Sequence, residues 1–239
     1  MRRLVLILTL CFVFFASGAW AYTTEAVSDG GTISGVVKFD GQAPKPKRLE
    51  ISKDKDVCGA KPLYEQSLLV GKNGAIRNAI VTLTGISKGE PLKPASGVEF
   101  DQKDCEYVPH VVVFPAGSTV DIINSDGILH SIHSESKINP VIDMAQPGFK
   151  RKITVKIEKP EIIKVGCDAH NWMVGWWYVT ANPYYAITGA DGRFTIANVP
   201  PGAYTLQVWQ EALGTETQKV SVKPGATVTA DFVMKPGKG

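Results

Sequence analysis

The chain has 239 residues, of which 44% are hydrophobic and 21% charged, and a formal net charge of +3 at pH 7. That is ample apolar material for one large core or two small ones, and too little positive charge for a surface built to follow nucleic-acid phosphates.

The first element, "MRRLVLILTLCFVFFASGAWA", sets Arg2 and Arg3 ahead of an unbroken apolar run and ends in Ala19-Trp20-Ala21. This is the layout of a secretory signal peptide cut after Ala21, since the run is short for a spanning helix and no second one follows. Cleavage removes two arginines and brings the formal charge to about +1, so no nucleic-acid partner is expected, and loss of the apolar run leaves no stable membrane insertion expected either. The expected location is periplasmic or secreted, where Cys58, Cys105 and Cys167 would meet oxidising conditions and an odd count leaves one thiol free.

From residue 31 onward, apolar and polar residues alternate with a period of two. In "TISGVVKF", Ile33, Val37 and Phe39 share a face, and in "KITVKI" Ile153, Val155 and Ile157 do the same. Asn73-Gly74, Pro115-Ala116-Gly117, Asp191-Gly192, Pro201-Gly202 and Pro224-Gly225 punctuate the runs as turns. No convincing amphipathic helix follows the first 21 residues. The predicted fold class is all-β, with two β-sandwich domains.

All four histidines, His110, His130, His133 and His170, fall between residues 98 and 180. In the same window "GCDAHNWM" spaces Cys167, His170 and Met173 as Cys-x-x-His-x-x-Met. A thiolate, an imidazole and a thioether, joined by one more histidine, form the His₂Cys set with a weak axial Met that binds copper for electron transfer, whereas zinc does not usually select Met. "STVDIINSDGILHSIH" supplies His130 and His133; three apart on an extended chain they point to opposite faces, so only one can enter a shared site.

The stretch "YVPHVVVFPAGSTVDIINSDGILHSIH" followed by "VGCDAHNWMVG" resembles the cupredoxins, with the short ligand loop of the amicyanin-like variant. The resemblance covers roughly residues 98–180. It implies one mononuclear type 1 copper site with His130, Cys167, His170 and Met173 as ligands, and it aligns Gly175 with the glycine that opens the last strand. It also implies that the loop histidine, His170, reaches the surface as the electron port, with Trp172 either beside it or tucked under the loop. Ser131 departs from the family's usual Asn, which ties the two ligand loops together. His110 and His133 are expected to be surface or supporting histidines. With Cys167 given to the metal, Cys58 and Cys105 are left to pair as a disulfide; the alternative bonds Cys167 and leaves one of the others free.

Residues 184–234, with Thr-x-x-Asp-Gly-x-Phe and Val-Pro-Pro-Gly-x-Tyr, resemble the carboxypeptidase regulatory-like (transthyretin-like) sandwich. Strands matching its beginning, "GTISGVVKFDGQAP" and "AIRNAIVTLTG", lie upstream of the copper motif. The expected organisation is therefore one sandwich from 31–92 plus 183–235 with the cupredoxin inserted at 98–180; the alternative is three consecutive segments.

The expected function is a type 1 copper protein, not an enzyme, carrying single electrons between a redox protein donor and acceptor. Competing readings are copper binding or trafficking without turnover, a structural or carbohydrate-binding module using Trp209, and a copper enzyme recruiting His110 or His133.

Overall fold

Burial follows the alternation. In Ser118–Asn124 every second residue is buried, and Ile153 and Ile157 turn inward from Lys152–Ile157. The computed structural model describes residues 22–236, so the expected signal peptide lies outside the described residues. The one α-helix among the described residues is the four-residue turn Lys55–Cys58. The fold is all-β.

Two sandwiches result. In the first, one sheet runs in the order Tyr185–Ile187, Ile80–Thr84, Gly202–Gln210, Gly214–Val222. The facing sheet pairs Gly31–Phe39 with Arg193–Val199 on one edge and with Thr227–Thr229 and Phe232–Met234 on the other. Strands near residues 31–84 and 185–234 thus share ladders and one core, which includes Ile33, Val37, Val81, Phe194, Leu206 and Phe232.

The second sandwich is built from the chain between them. Its four-stranded sheet has the order Lys152–Ile157, Ser118–Asn124, Val98–Lys103, Glu106–Val108. Its five-stranded sheet has the order Asp143–Gln146, His130–Glu135, Glu161–Cys167, Val174–Thr180, Val111–Pro115. Phe100, Tyr107, Ile122, Ile132, Val165 and Trp177 fill the space between. Gly175 is required where it stands, because a Cβ there would meet the Phe100 ring at 2.7 Å and the His110 carbonyl at 3.1 Å.

The sandwiches meet through aromatic side chains. Trp209 of the first packs against Trp176 and Tyr178 of the second, with ring centroids 5.3 and 5.7 Å apart. Glu211 accepts hydrogen bonds across the same seam, from the Trp176 indole at 2.6 Å and from His110. Trp209 is therefore buried between domains and not open to a sugar, because its ring supplies the apolar surface that joins them.

The stretch expected to belong wholly to the first sandwich, 31–92, divides. Residues 47–65 cross to the second, where Cys58 and Leu63 are buried in the core and Leu49 and Ile51 pack on it, while Asp40 still bonds to Met234 and Leu68 packs on the first core. Cys58 and Cys105 form a disulfide, and Cys167 is a free, buried thiol. The crossing strap has no alternation to betray its destination; its cystine and a few apolar side chains set it.

Glu161, at the start of the central strand Glu161–Cys167, anchors the loop before Asp143–Gln146. Its carboxylate accepts from the Ser136 hydroxyl at 2.6 Å, from the backbone N–H of Ile138 and Asn139 at 3.0 Å each, and from the Lys137 N–H. Burial opposes the charge, but these donors outweigh it and hold the carboxyl at about 2, below its ordinary 4.5. A folded-state value below the unfolded one means that the stabilisation is complete above the unfolded pKa and is lost as pH falls through the folded one. Unfolding midpoints in denaturant should therefore drop between about pH 5 and pH 2. Glu161→Gln, less stable at neutral pH, should lose much of that slope; an unchanged slope would mean that other carboxylates govern acid sensitivity.

Candidate metal centre

Three chain segments bring three ligand atoms together. Strand His130–Glu135 pairs with Glu161–Cys167 so that Ile132 faces Cys167. Side chains alternate, so His130 shares the inward face with Ile132 while His133 turns outward. The loop after Cys167 then folds back twice, with the His170 N–H donating to the Cys167 carbonyl at 3.2 Å and the Met173 N–H donating to the His170 carbonyl at 2.9 Å. Both turns bring His170 beside Cys167.

The Cys167 sulfur lies 3.7 Å from Nδ1 of His130 and 3.7 Å from Nδ1 of His170, and the two Nδ1 atoms are 3.1 Å apart. A point equidistant from all three lies about 2 Å from each, the length of a nitrogen–metal or thiolate–metal bond. His130 and His170 are fully buried, and Cys167 and Met173 nearly so. Met173 sits in the same core cluster as Cys167.

The far side of each imidazole carries a carboxylate. His130 Nε2–H donates to Asp126 Oδ2 at 3.0 Å, and His170 Nε2–H donates to Asp54 Oδ2 at 2.8 Å. An ionised carboxylate can only accept, so these bonds place a proton on each Nε2; in the neutral ring it is then the Nδ1 lone pair that faces the sulfur. Asp126 also accepts the backbone N–H groups of Asp104, at 2.6 Å, and Cys105, at 2.9 Å. Neither carboxylate was among the expected site residues. Asp126 could have been found four positions before His130; Asp54 lies 116 positions from His170 and left no local signal.

Burial disfavours charge on His130, but the Asp126 carboxylate and the Cys167 sulfur outweigh it and push the imidazole up to about 9. Burial likewise raises the Cys167 thiol, and His130 together with the Ser131 and His170 N–H groups more than reverses this, so the thiol is lowered. Burial pushes His170 down, and Asp54 only partly offsets it. Both shifts move the pair in the direction of imidazolium and thiolate, and the thiolate is the form that binds metal.

Ser131 ties the two ligand segments through its backbone, with its N–H donating to the Cys167 sulfur at 3.3 Å and its carbonyl accepting from Asp168 N–H at 2.9 Å. No longer side chain is needed for that link. His110 is outside the cluster, held by Glu211. His133 is also outside it, near the surface with Asp143 and Asp168.

The expectation of a surface-exposed His170 is overturned. Its Nε2 edge is covered by the strap carrying Asp54, and the ring is fully buried. Trp172 packs beneath the loop against His170, at 5.1 Å between centroids, and its indole donates to the Cys105 carbonyl at 3.2 Å.

Residues 178–235 match the family model of the carboxypeptidase regulatory-like domain. Among curated proteins, the chain is 32% identical over 75 residues to a probable rhamnogalacturonate lyase A of Aspergillus clavatus and 34% identical over 68 residues to rhamnogalacturonate lyase A of Aspergillus aculeatus. These matches cover 30% and 28% of this chain and only 14% and 13% of the relatives' length. Among solved structures, a Cu-containing nitrite reductase from Thermus scotoductus is similar with a TM-score of 0.33 and 20% identity, over 41% of this chain and 24% of that one. Amicyanin from Paracoccus versutus is similar with a TM-score of 0.32 and 17% identity, over 42% and 97% of the two chains. A purple cupredoxin from Nitrosopumilus maritimus gives a TM-score of 0.30 and 22% identity, over 35% and 99%.

Removing Asp126 would strand two backbone donors and a buried imidazole at once. Asp126→Ala should lower the unfolding free energy of the metal-free protein by about 3 kcal/mol, and Asp126→Asn, which keeps an acceptor oxygen, should recover part of it. Chemical denaturation checks this, and a loss within experimental error would show that solvent takes over the three donors.

Proposed function

We propose that this chain is an extracytoplasmic type 1 copper protein, periplasmic or secreted, that carries single electrons between redox protein partners and catalyses no reaction of its own. The observation that carries the reading is the triangle of one buried sulfur and two Nδ1 atoms, spaced for bonds of about 2 Å to a common centre, with Met173 buried in the same core. The donor set fits the metal: a thiolate and two neutral imidazoles bind strongly, and a thioether suits copper better than zinc. When bound, copper would supply a one-electron couple.

The protein's own residues support that use. Cys167 is held by a sheet ladder and by the Ser131 N–H, and each imidazole is fixed by a carboxylate, so the ligand atoms keep their places independently of the charge between them. Small rearrangement is what a carrier requires. Burial of all four ligand side chains supports a carrier's closed centre over a centre open to substrate. The start of the chain, read as a signal peptide, supports the location.

A second reading, copper holding or trafficking without turnover, is favoured by one observation: the strap closes over His170, the ligand otherwise suited to pass electrons. Rapid electron exchange of the loaded protein with a small redox mediator supports the carrier; slow exchange with tight retention supports the holder.

The copper(II)-loaded protein should show an intense thiolate-to-copper absorption and a narrow hyperfine splitting in its electron paramagnetic spectrum. Cys167→Ser and His130→Ala should abolish the band. Met173→Gln should retain copper with an altered spectrum, and His133→Ala should leave it unchanged. A band that survives Cys167→Ser, or no copper uptake by the unaltered chain, would overturn the assignment.

A further inference from the structure

Among the described residues, the strap of residues 47–65 leaves the first sandwich to lie on the second. It doubles back on itself, with Leu49 N–H donating to the Leu63 carbonyl and Glu65 N–H to the Lys47 carbonyl, each at 2.9 Å. At its far end Asp54 opens the short helical turn, its carbonyl accepting from Val57 and Cys58. The Asp54 backbone is left-handed, at φ 45° and ψ 46°. A non-glycine residue keeps that conformation at a cost of about 1 kcal/mol or more, so it must be held from elsewhere. Two contacts hold it. Cys58, four positions on, is bonded to Cys105, and the Asp54 carboxylate is bonded to His170.

The cystine also reaches the other imidazole. Cys105 N–H donates to Asp126, which holds His130, and the Cys105 carbonyl accepts from Trp172, which packs on His170. One covalent link therefore connects the supports of both rings. On the His170 side the carboxylate is half exposed while the ring is fully buried, so Asp54 stands between the imidazole and solvent.

We propose that Asp54 is a positioning residue of the metal centre, which turns the Nδ1 atom of His170 toward Cys167 by accepting its Nε2–H and whose negative charge favours copper(II) over copper(I). This rests on the copper reading above and deepens it: the strap is an added part of the centre, and the centre's preference between oxidation states is set partly by a residue outside the ligand sandwich's own strands. A charge one imidazole away acts on the more highly charged state more strongly, so its removal makes reduction easier.

The test uses the full chain with Asp54→Asn, which tolerates the left-handed backbone and keeps a polar side chain but not the charge, and with Asp54→Ala, which removes both. In metal-free protein, nitrogen-15 NMR of the histidine rings should show a slowly exchanging His170 Nε2–H that Asp54→Ala abolishes. In copper-loaded protein, both variants should keep the thiolate band while the ratio of copper(II) to copper(I) affinity falls about tenfold, a rise in reduction potential of about 59 mV. A purely structural Asp54 would lower stability and leave the potential of the Asn variant unmoved, which overturns the proposal with the copper reading intact. Absence of an Asp54-dependent ring proton also overturns it, whatever metal binds. If that proton is present but the unaltered chain takes up no copper, the copper reading is what fails, and the tuning role falls with it.

Discussion

Ile132 lies opposite Cys167 in the ladder between His130–Glu135 and Glu161–Cys167, and that register decides which side chains can meet. Side chains alternate strictly along a strand, so fixing one pair fixes the face of every neighbour. His130, Ile132 and Ser134 turn inward, and His133 turns out toward Asp168. A slip of one residue would exchange the two histidines and place a buried Ile in solvent. Burial of Ile132 and Val165 in the core makes that slip unfavourable, so hydrophobic packing selects the ligand.

The loop between Cys167 and Met173 is braced at both ends. Cys167 ends the central strand of the five-stranded sheet, and Met173 leads directly into Val174–Thr180, whose Trp176 and Tyr178 meet Trp209 of the first sandwich. The first sandwich thus acts on the site without supplying a ligand from its sheets: it clamps the strand by which the loop returns. Glu211 strengthens that clamp, since it satisfies the buried Trp176 indole and His110 together. The buried acid is tolerated because its oxygens are matched by donors from the other domain.

A second brace comes through the cystine. Cys58–Cys105 fastens the crossing strap at the place where Asp126 and Trp172 also converge on Cys105. The imidazoles are held from behind by acceptors and from beside by packing, which turns their Nδ1 atoms toward each other and toward the Cys167 sulfur. The strap closes the imidazole edge that a ligand loop alone would have exposed. Access to the proposed centre is consequently a property of two segments more than one hundred residues apart, not of the loop itself.

Much of this was legible from the chain alone. Period-two alternation and glycine-bearing turns specified an all-β fold, because those signals are local and each strand carries its own. The clustering of histidines, the Cys-x-x-His-x-x-Met spacing and an odd number of cysteines after residue 21 pointed to Cys167, His170 and Met173 with one further histidine, the cupredoxin resemblance named His130, and Cys58 and Cys105 were left to pair. The parity of a strand put His130 and His133 on opposite faces, so that only one could enter the site. Tertiary structure alone decided the destination of residues 47–65, the burial of His170 and Trp209, and the choice of Asp54 and Glu211 as partners. The reason is physical. A carboxylate in a polar, unpatterned stretch looks the same whether it faces water or an imidazole, and only the folded chain determines what stands opposite it.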